Sequence, residues 1–261
     1  MPPRPDVAAA LSGGLHVEQV GPEGAPVLLL LHGGGVAGWM WRPVFDALSR
    51  THRVVVPDLP GHGRSAHVPF TSYAAITEAL VEVLRPFSGR PCAAIGFSMG
   101  AQLLVSLLAR APQALTSAMV VSALAAPIRW EPAWSLPLYG AMVPLMRMRT
   151  LMRPLVRMGF PPDLVEDALE AQATITASTM TALMRENRAF RLPPGLSATT
   201  TRVLAVAGAK EPAVVARSAR ALAGSVAHGE VRVLEGVGHD WPLRHREAFL
   251  AATREWLERT G

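Results

Sequence analysis

The sequence predicts an α/β protein with a mainly parallel central sheet flanked by helices. Short apolar runs of strand length recur, each followed by a segment with helical spacing. The runs are apolar throughout, as in Val27-Leu28-Leu29-Leu30-Leu31, which suits strands covered on both faces. The alternation stops from about Ala125 to Thr200, where helical segments rich in Met, Leu and Arg take over, and then it resumes. That block reads as a helical insertion between two sheet strands.

The elements follow in order. Leu15 to Val20 is the first strand, turned by Gly21-Pro22-Glu23-Gly24, and the Val27 run is the second. His32-Gly33-Gly34-Gly35 ends it, and Trp41 to Leu48 has helical spacing. Arg53 to Pro57 is a third strand, closed by Asp58-Leu59-Pro60-Gly61-His62-Gly63-Arg64-Ser65. Tyr73 to Leu84 is a helix capped by Thr71 or Ser72, whose hydroxyls can accept from the free amides of the first turn. A strand at 92–97 precedes a helix over Ala101 to Ala109, and Thr116 to Ser122 is another strand. After the insertion come Arg202 to Ala207 (strand), Pro212 to Ala223 (helix), Glu230 to Leu234 (strand) and Pro242 to Leu257 (helix).

At 261 residues the chain can bury a large core, and 50% hydrophobic residues exclude a disordered protein. No window reaches the roughly 18 to 20 uninterrupted apolar residues of a transmembrane helix. The start, Met1-Pro2-Pro3-Arg4-Pro5-Asp6, has no apolar segment after a basic one, so we expect no secretory signal and a cytoplasmic protein. The single cysteine, Cys92, opens an apolar strand and reads as a buried inert thiol. The net charge of +5 comes almost wholly from arginine, since Lys210 is the only lysine. These arginines are dispersed without aromatic interleaving, so no nucleic-acid partner is expected.

The stretch Ala93-Ala94-Ile95-Gly96-Phe97-Ser98-Met99-Gly100 runs from an apolar strand through Gly-x-Ser-x-Gly directly into a helix. This is the pattern of a nucleophile elbow, with the serine on a tight strand-to-helix turn. A side chain at 96 or 100 would crowd that turn. Ser98 stands at a helix N-terminus, where free amides favour developing negative charge. A free hydroxyl is a poor nucleophile near neutral pH and needs a base.

Four motifs stand in order at strand ends: His32-Gly33-Gly34, Asp58-x-x-Gly61-x-Gly63-x-Ser65, Gly96-x-Ser98-x-Gly100 and Gly236-x-Gly238-His239. Together they resemble the α/β-hydrolase family, in particular its serine hydrolases with a helical cap, from about Leu15 to the C-terminus. The resemblance implies a core of residues 1–124 and 201–261 and a cap of residues 125–200, inserted after the sixth strand of the fold's sheet. It implies no cofactor and no metal.

Of the eight histidines, His239 has the chain position of the base, after the serine and after an acid. The acid has several candidates. The strand at 202–207 leads to Gly208-Ala209-Lys210-Glu211, and Glu211 occupies the place of the family's aspartate; the hydrolase pattern admits either acid. Asp58 and Asp240 are rivals, although Asp58 also suits the role of holding the glycine-rich turn and Asp240 would have to fold back on its neighbour. A third place used by some relatives reads Ser122-Ala123-Leu124 and offers no carboxylate. By resemblance the oxyanion hole is made of the amides of Met99 and Gly34, with Gly35 the alternative to Gly34. His32 is expected to shape that loop through hydrogen bonds.

Seven of the eleven methionines lie between Met142 and Met184. With Trp130 and Trp134 they make the insertion apolar and adaptable. We expect the cap, through Trp130, Trp134, Met142 and Met146, to roof an apolar pocket whose core-side walls are Trp39, Met40 and Trp241. Simple packing of the cap helices on one another is the competing account. Arg149, Arg153 and Arg157 share one helix face, read as a solvated outer surface, with an anionic membrane or an acidic carrier as the alternative. The implied activity is hydrolysis of an ester, thioester or lactone of a small, largely apolar substrate through an acyl-enzyme, without stable membrane insertion. Carbon–carbon bond hydrolysis, lyase or perhydrolase chemistry, and a non-catalytic ligand receptor, are the alternatives. Serine at 98 argues against the epoxide hydrolases and haloalkane dehalogenases of this fold, which use aspartate there.

Overall fold

A computed structural model describes residues 14–127 and 133–260. Seven strands form one sheet: β1 (Val17–Val20), β2 (Val27–Leu31), β3 (Arg53–Pro57), β4 (Cys92–Phe97), β5 (Ser117–Val121), β6 (Arg202–Gly208) and β7 (His228–Leu234). Their spatial order is β1-β3-β2-β4-β5-β6-β7. Only the β1–β3 pairing is antiparallel. The helices before the insertion are α1 (Arg42–Leu48), α2 (Tyr73–Leu84) and α3 (Met99–Arg110). The insertion holds α4 (Leu136–Ala141), α5 (Val143–Met146), α6 (Arg149–Gly159), α7 (Val165–Thr174) and α8 (Ala177–Ala189). After it come α9 (Ala213–Ala223), α10 (Trp241–Arg244) and α11 (Arg246–Thr260).

The unbroken apolar runs divide between two cores by the two-residue period of a strand. Leu29 and Leu31 face one cluster with residues of α2, α3 and α9, while Leu28 and Leu30 face the other with residues of α1 and α11. All four leucines are fully buried, each worth about 1.5–3 kcal/mol. This two-sided burial is why no polar residue alternates in β2.

Local signals set most boundaries. Ser72, and not Thr71, caps α2 by accepting from the Ala75 amide at 3.2 Å. The expected helix from Pro242 to Leu257 is two helices, because His245 leaves helical geometry at φ −113°, ψ 52°. The helical stretch follows the fifth strand of this chain: the backbone leaves the sheet at Val121 and re-enters it at Arg202.

Within that stretch α8 is the inner helix. Its Ala182 and Leu183 join the core cluster that includes α2 and α3. Helix α4 packs over α8: a side chain at Gly140 would come within 2.6 Å of Thr181 Oγ1. Helix α6 rests on α7 through Val156, Val165, Ala168 and Leu169.

The parallel register aligns the carboxyl ends of the strands. Leu31 is opposite Gly96, Phe97 opposite Val121, and Val121 opposite Val206. The strand order reverses between β2 and β4, which opens a crevice beyond their carboxyl ends. His32, Ser98, Ser122, Glu211 and His239 all follow strands at that edge.

Candidate active site

Ser98 joins β4 to α3 with φ 53° and ψ −112°, a backbone conformation rarely adopted by residues with side chains. Close packing holds it there. A side chain at Gly96 would come within 2.5 Å of the Gly100 carbonyl oxygen, and one at Gly100 within 2.4 Å of the Leu31 carbonyl oxygen. The Ser98 amide donates to the Val121 carbonyl at 2.9 Å, and the Ser98 carbonyl accepts from the Ala101 and Gln102 amides. The strained turn lifts the hydroxyl out of the sheet, and Ser98 is part-exposed.

The hydroxyl oxygen lies 3.1 Å from His239 Nε2, and His239 Nδ1 lies 2.7 Å from Glu211 Oε1. A carboxylate can only accept, so Nδ1 carries the imidazole proton and Nε2 offers its lone pair to Ser98. Glu211 has a buried side chain and three donors: His239 on Oε1, with the Gly208 amide at 2.7 Å and Ser122 Oγ at 2.9 Å on Oε2. Burial pushes the Glu211 carboxyl up. The hydrogen bonds from His239, Gly208 and Ser122, with the charge of His239, outweigh burial and hold it below the ordinary carboxylate value. The His239 ring also packs on Phe97, centroid to centroid 4.9 Å.

The rival carboxylates are engaged elsewhere. Asp58 accepts from the Gly38 amide at 2.7 Å and the Arg64 amide at 2.9 Å, holding the glycine-rich turn. Asp240 pairs with Arg244 on its own helical turn.

The loop after β2 is built on two buried histidines. His32 Nδ1 donates to the Gly33 carbonyl at 2.8 Å, and its Nε2 accepts from the Leu59 amide at 2.9 Å. His62 Nδ1 donates to the Pro60 carbonyl at 2.9 Å, and its Nε2 accepts from the Gly35 amide at 3.2 Å. Each ring therefore works as the neutral tautomer. Burial lowers both, helped at His62 by His32, and His62 falls to about 3. The Gly35 amide is thus committed to His62. Among the described residues no hydrogen bond occupies the amides of Gly34 and Met99.

The residues expected to bind substrate scatter. Met40 and Trp241 are 2% and 1% exposed in the core beside α1 and α11, Trp241 edge-on to Phe249. Trp39 packs on Phe160 and lines a cavity of about 330 Å³ with His16, Arg42, Asp58, Arg64 and Glu170; neither Ser98 nor His239 lines it. Trp134 and Met142 are exposed and Met146 is half-buried. Trp130 lies outside the described residues. These helices miss the expected position because α8 lies between α4 and the core. Instead Leu183 of α8 meets the glycine loop: a side chain at Gly34 would come within 2.9 Å of its Cδ1. Sequence reasoning missed Leu183 and Ser122. Neither carries a local signal, although Ser122 stands at the strand end where an acid was sought. Cys92 is buried with its thiol pushed up to about 12 by that burial, as suits an inert residue.

A strand-to-helix serine, a histidine after the last strand and a carboxylate after the preceding one define a class of fold and site. The chain belongs to the alpha/beta hydrolase family, whose model matches residues 28–252. It is 38% identical over 98 residues to the magnesium-chelatase 30 kDa subunit of Rhodobacter capsulatus, covering 37% of this chain and 34% of that one. It is 32% identical over 108 residues to the pimeloyl-(acyl-carrier protein) methyl ester esterase of Nitrosomonas europaea, covering 41% of this chain and 40% of that one. The matches thus span little more than a third of these curated relatives. Over nearly the whole chain the fold is that of the enol-lactonase from Burkholderia xenovorans LB400, with a TM-score of 0.78 at 20% identity, covering 96% of this chain and 99% of that one.

Proposed function

We propose that the protein is a serine hydrolase that cleaves an ester-type bond, carboxylic ester, thioester or lactone, of a small substrate through an acyl-enzyme. The observation that carries this reading is the continuous hydrogen-bonded chain from Ser98 Oγ through His239 to Glu211. His239 Nε2 takes the Ser98 proton as Oγ attacks the substrate carbonyl carbon. The carbonyl oxygen becomes an oxyanion held by the amides of Gly34 and Met99, each worth about 3–4 kcal/mol of barrier lowering. The tetrahedral species collapses, and the imidazolium gives its proton to the departing oxygen or sulfur. Water, deprotonated by the same nitrogen, then releases the acid and restores Ser98. Glu211 holds the ring in its tautomer and stabilises its cation throughout. The partial similarity to a methyl ester esterase supports an ester bond as the target.

The helical stretch 125–200 acts in this reading as a cap, with Leu183 of α8 over the oxyanion loop. We do not assign Met40 and Trp241 as pocket walls, since both are spent on core packing. A fluorophosphonate probe tests the assignment. Wild type should label at Ser98, while Ser98→Ala and His239→Ala should not. A folded wild type that fails to label, yet binds small esters without turnover, refutes it in favour of a receptor.

A further inference from the structure

We propose that the outer face of α4–α6 docks on an anionic lipid bilayer, with its apolar side chains dipping into the interface. The proposal is independent of the chemistry at Ser98. The large hydrophobic residues that stand exposed among the described residues are Trp134, Leu138, Met142, Leu145, Met148, Leu151, Leu155 and Met158. Every one falls in α4–α6 or at its edges, and the intervals between neighbours are three or four residues. An ordinary surface scatters such side chains singly; a contiguous exposed patch marks an interaction site.

The helices repeat one pattern. Helices α4 and α5 run nearly as one, because Met142 and Arg147 keep helical backbone and the Met142 and Met146 amides bond four residues back. On this rod Leu138, Met142 and Leu145 share a face, and the buried Val143 is on the other side. On α6, Leu151, Leu155 and Met158 repeat the same spacing, with the buried Val156 opposite and packed on α7. Each helix therefore turns one apolar stripe inward and a second outward, and nothing described covers the second.

Charge selects the occupant. Residues 133–162 contain Arg147, Arg149, Arg153 and Arg157 and no Asp or Glu. Arg149 and Arg153 bind Glu166 of α7, and Arg147 donates to the Ile175 carbonyl, so three of the cations are anchored behind the outer stripe. Arg157 is exposed. A second copy of the chain on the same face would bring two such arginine sets together, each with Glu166 as the one carboxylate seen, among the described residues, to pair with its four cations. An anionic bilayer accepts the leucines and methionines in its acyl boundary and the exposed Arg157 at its headgroups, with the net positive charge of the anchored arginines behind them. No described helix is long and apolar enough to cross a membrane, so this is surface docking.

Co-sedimentation with phosphatidylcholine vesicles, with and without phosphatidylglycerol, tests the proposal. Wild type should pellet with the anionic vesicles, and less as salt is raised. Leu151→Glu with Leu155→Glu should lower the partition by at least about tenfold, and Arg157→Gln by about fivefold. Near-ultraviolet circular dichroism and an unchanged unfolding midpoint show that the variants fold. Absence of binding to anionic vesicles overturns the proposal, as does equal binding by the folded double variant. A wild-type dimer that the double variant disperses, with no vesicle binding, assigns the face to a second copy instead. Capture of an acidic protein without vesicle binding assigns it to that partner.

Discussion

Ser122 Oγ donates to Glu211 Oε2 at 2.9 Å, across 89 positions of chain, from a backbone with φ 58°. Ser98 is the other non-glycine residue with positive φ among the described residues. The two stand at the ends of paired strands, and each turns out of the sheet to present a hydroxyl. One faces the proposed reaction and the other supports its acid. Ser122→Ala removes one of three donors to a buried carboxylate, a bond to a charged group worth about 1.5–3 kcal/mol. We expect kcat on a soluble ester to fall about tenfold with KM nearly unchanged. Steady-state kinetics of the two proteins checks this.

Glu211 is the proposed acid, and both of its oxygens are held. Its Oε1 meets His239 while Oε2 meets Gly208 and Ser122. An aspartate is one methylene shorter and cannot keep all three. We expect Glu211→Asp to lose about 10²-fold in kcat, the cost of a misplacement of about an ångström. Glu211→Gln should lose about 10³–10⁴-fold, because its amide invites the wrong imidazole tautomer. Asp58→Asn and Asp240→Asn should each remain well above Glu211→Gln. A variant order with Asp240→Asn lowest would move the acid role there.

Packing makes the elbow glycines irreplaceable. A side chain at Gly100 would meet the carbonyl oxygens of Leu31 and His32 at 2.4 and 2.5 Å. Both are backbone of a central strand and its end, so neither can give way cheaply. Gly100→Ala should cost about 3 kcal/mol or more of stability. Gly35 differs: its φ is 76° but open space surrounds it. Gly35→Ala should cost about 1–2 kcal/mol from backbone strain alone. Denaturant unfolding of both variants measures the contrast.

The buried histidines predict a pH dependence of stability. Burial, then His32, holds His62 down to about 3 from its ordinary 6.5. The fold selects the neutral ring, so this contribution is complete above about 6.5 and is lost as pH falls from there toward 3. His32 is lowered also, chiefly by burial, and acts in the same direction. Unfolding free energy should therefore fall between pH 7 and 5.5, by up to about 1.4 kcal/mol per unit for each proton. His62→Gln can still accept from Gly35 and donate to Pro60, and should flatten that slope. An unchanged slope would show that His62 is not responsible.

Much of this was legible in the chain because the governing forces are local. An apolar run with no polar alternation has to lie in a sheet covered on both faces. Gly-x-Ser-x-Gly between a strand and a helix leaves one turn that avoids collision, so Ser98 was placed by sterics within five residues. His239 followed from its loop after the last strand. The choice among Glu211, Asp58 and Asp240 was not local, since each carboxylate had a plausible partner nearby in sequence. Only the aligned ends of β5, β6 and β7 bring Ser122, Glu211 and His239 together. The methionine-rich helices were misjudged for a related reason. Their period announces an apolar stripe, and what covers a stripe depends on which layer the helix occupies. Sequence alone therefore determined the strands of the sheet and the elbow, each set by contacts within a few residues. Tertiary structure decided which carboxylate and which serine lie beside His239, and the outward face of α4–α6, because those depend on surfaces that meet only when distant segments pack.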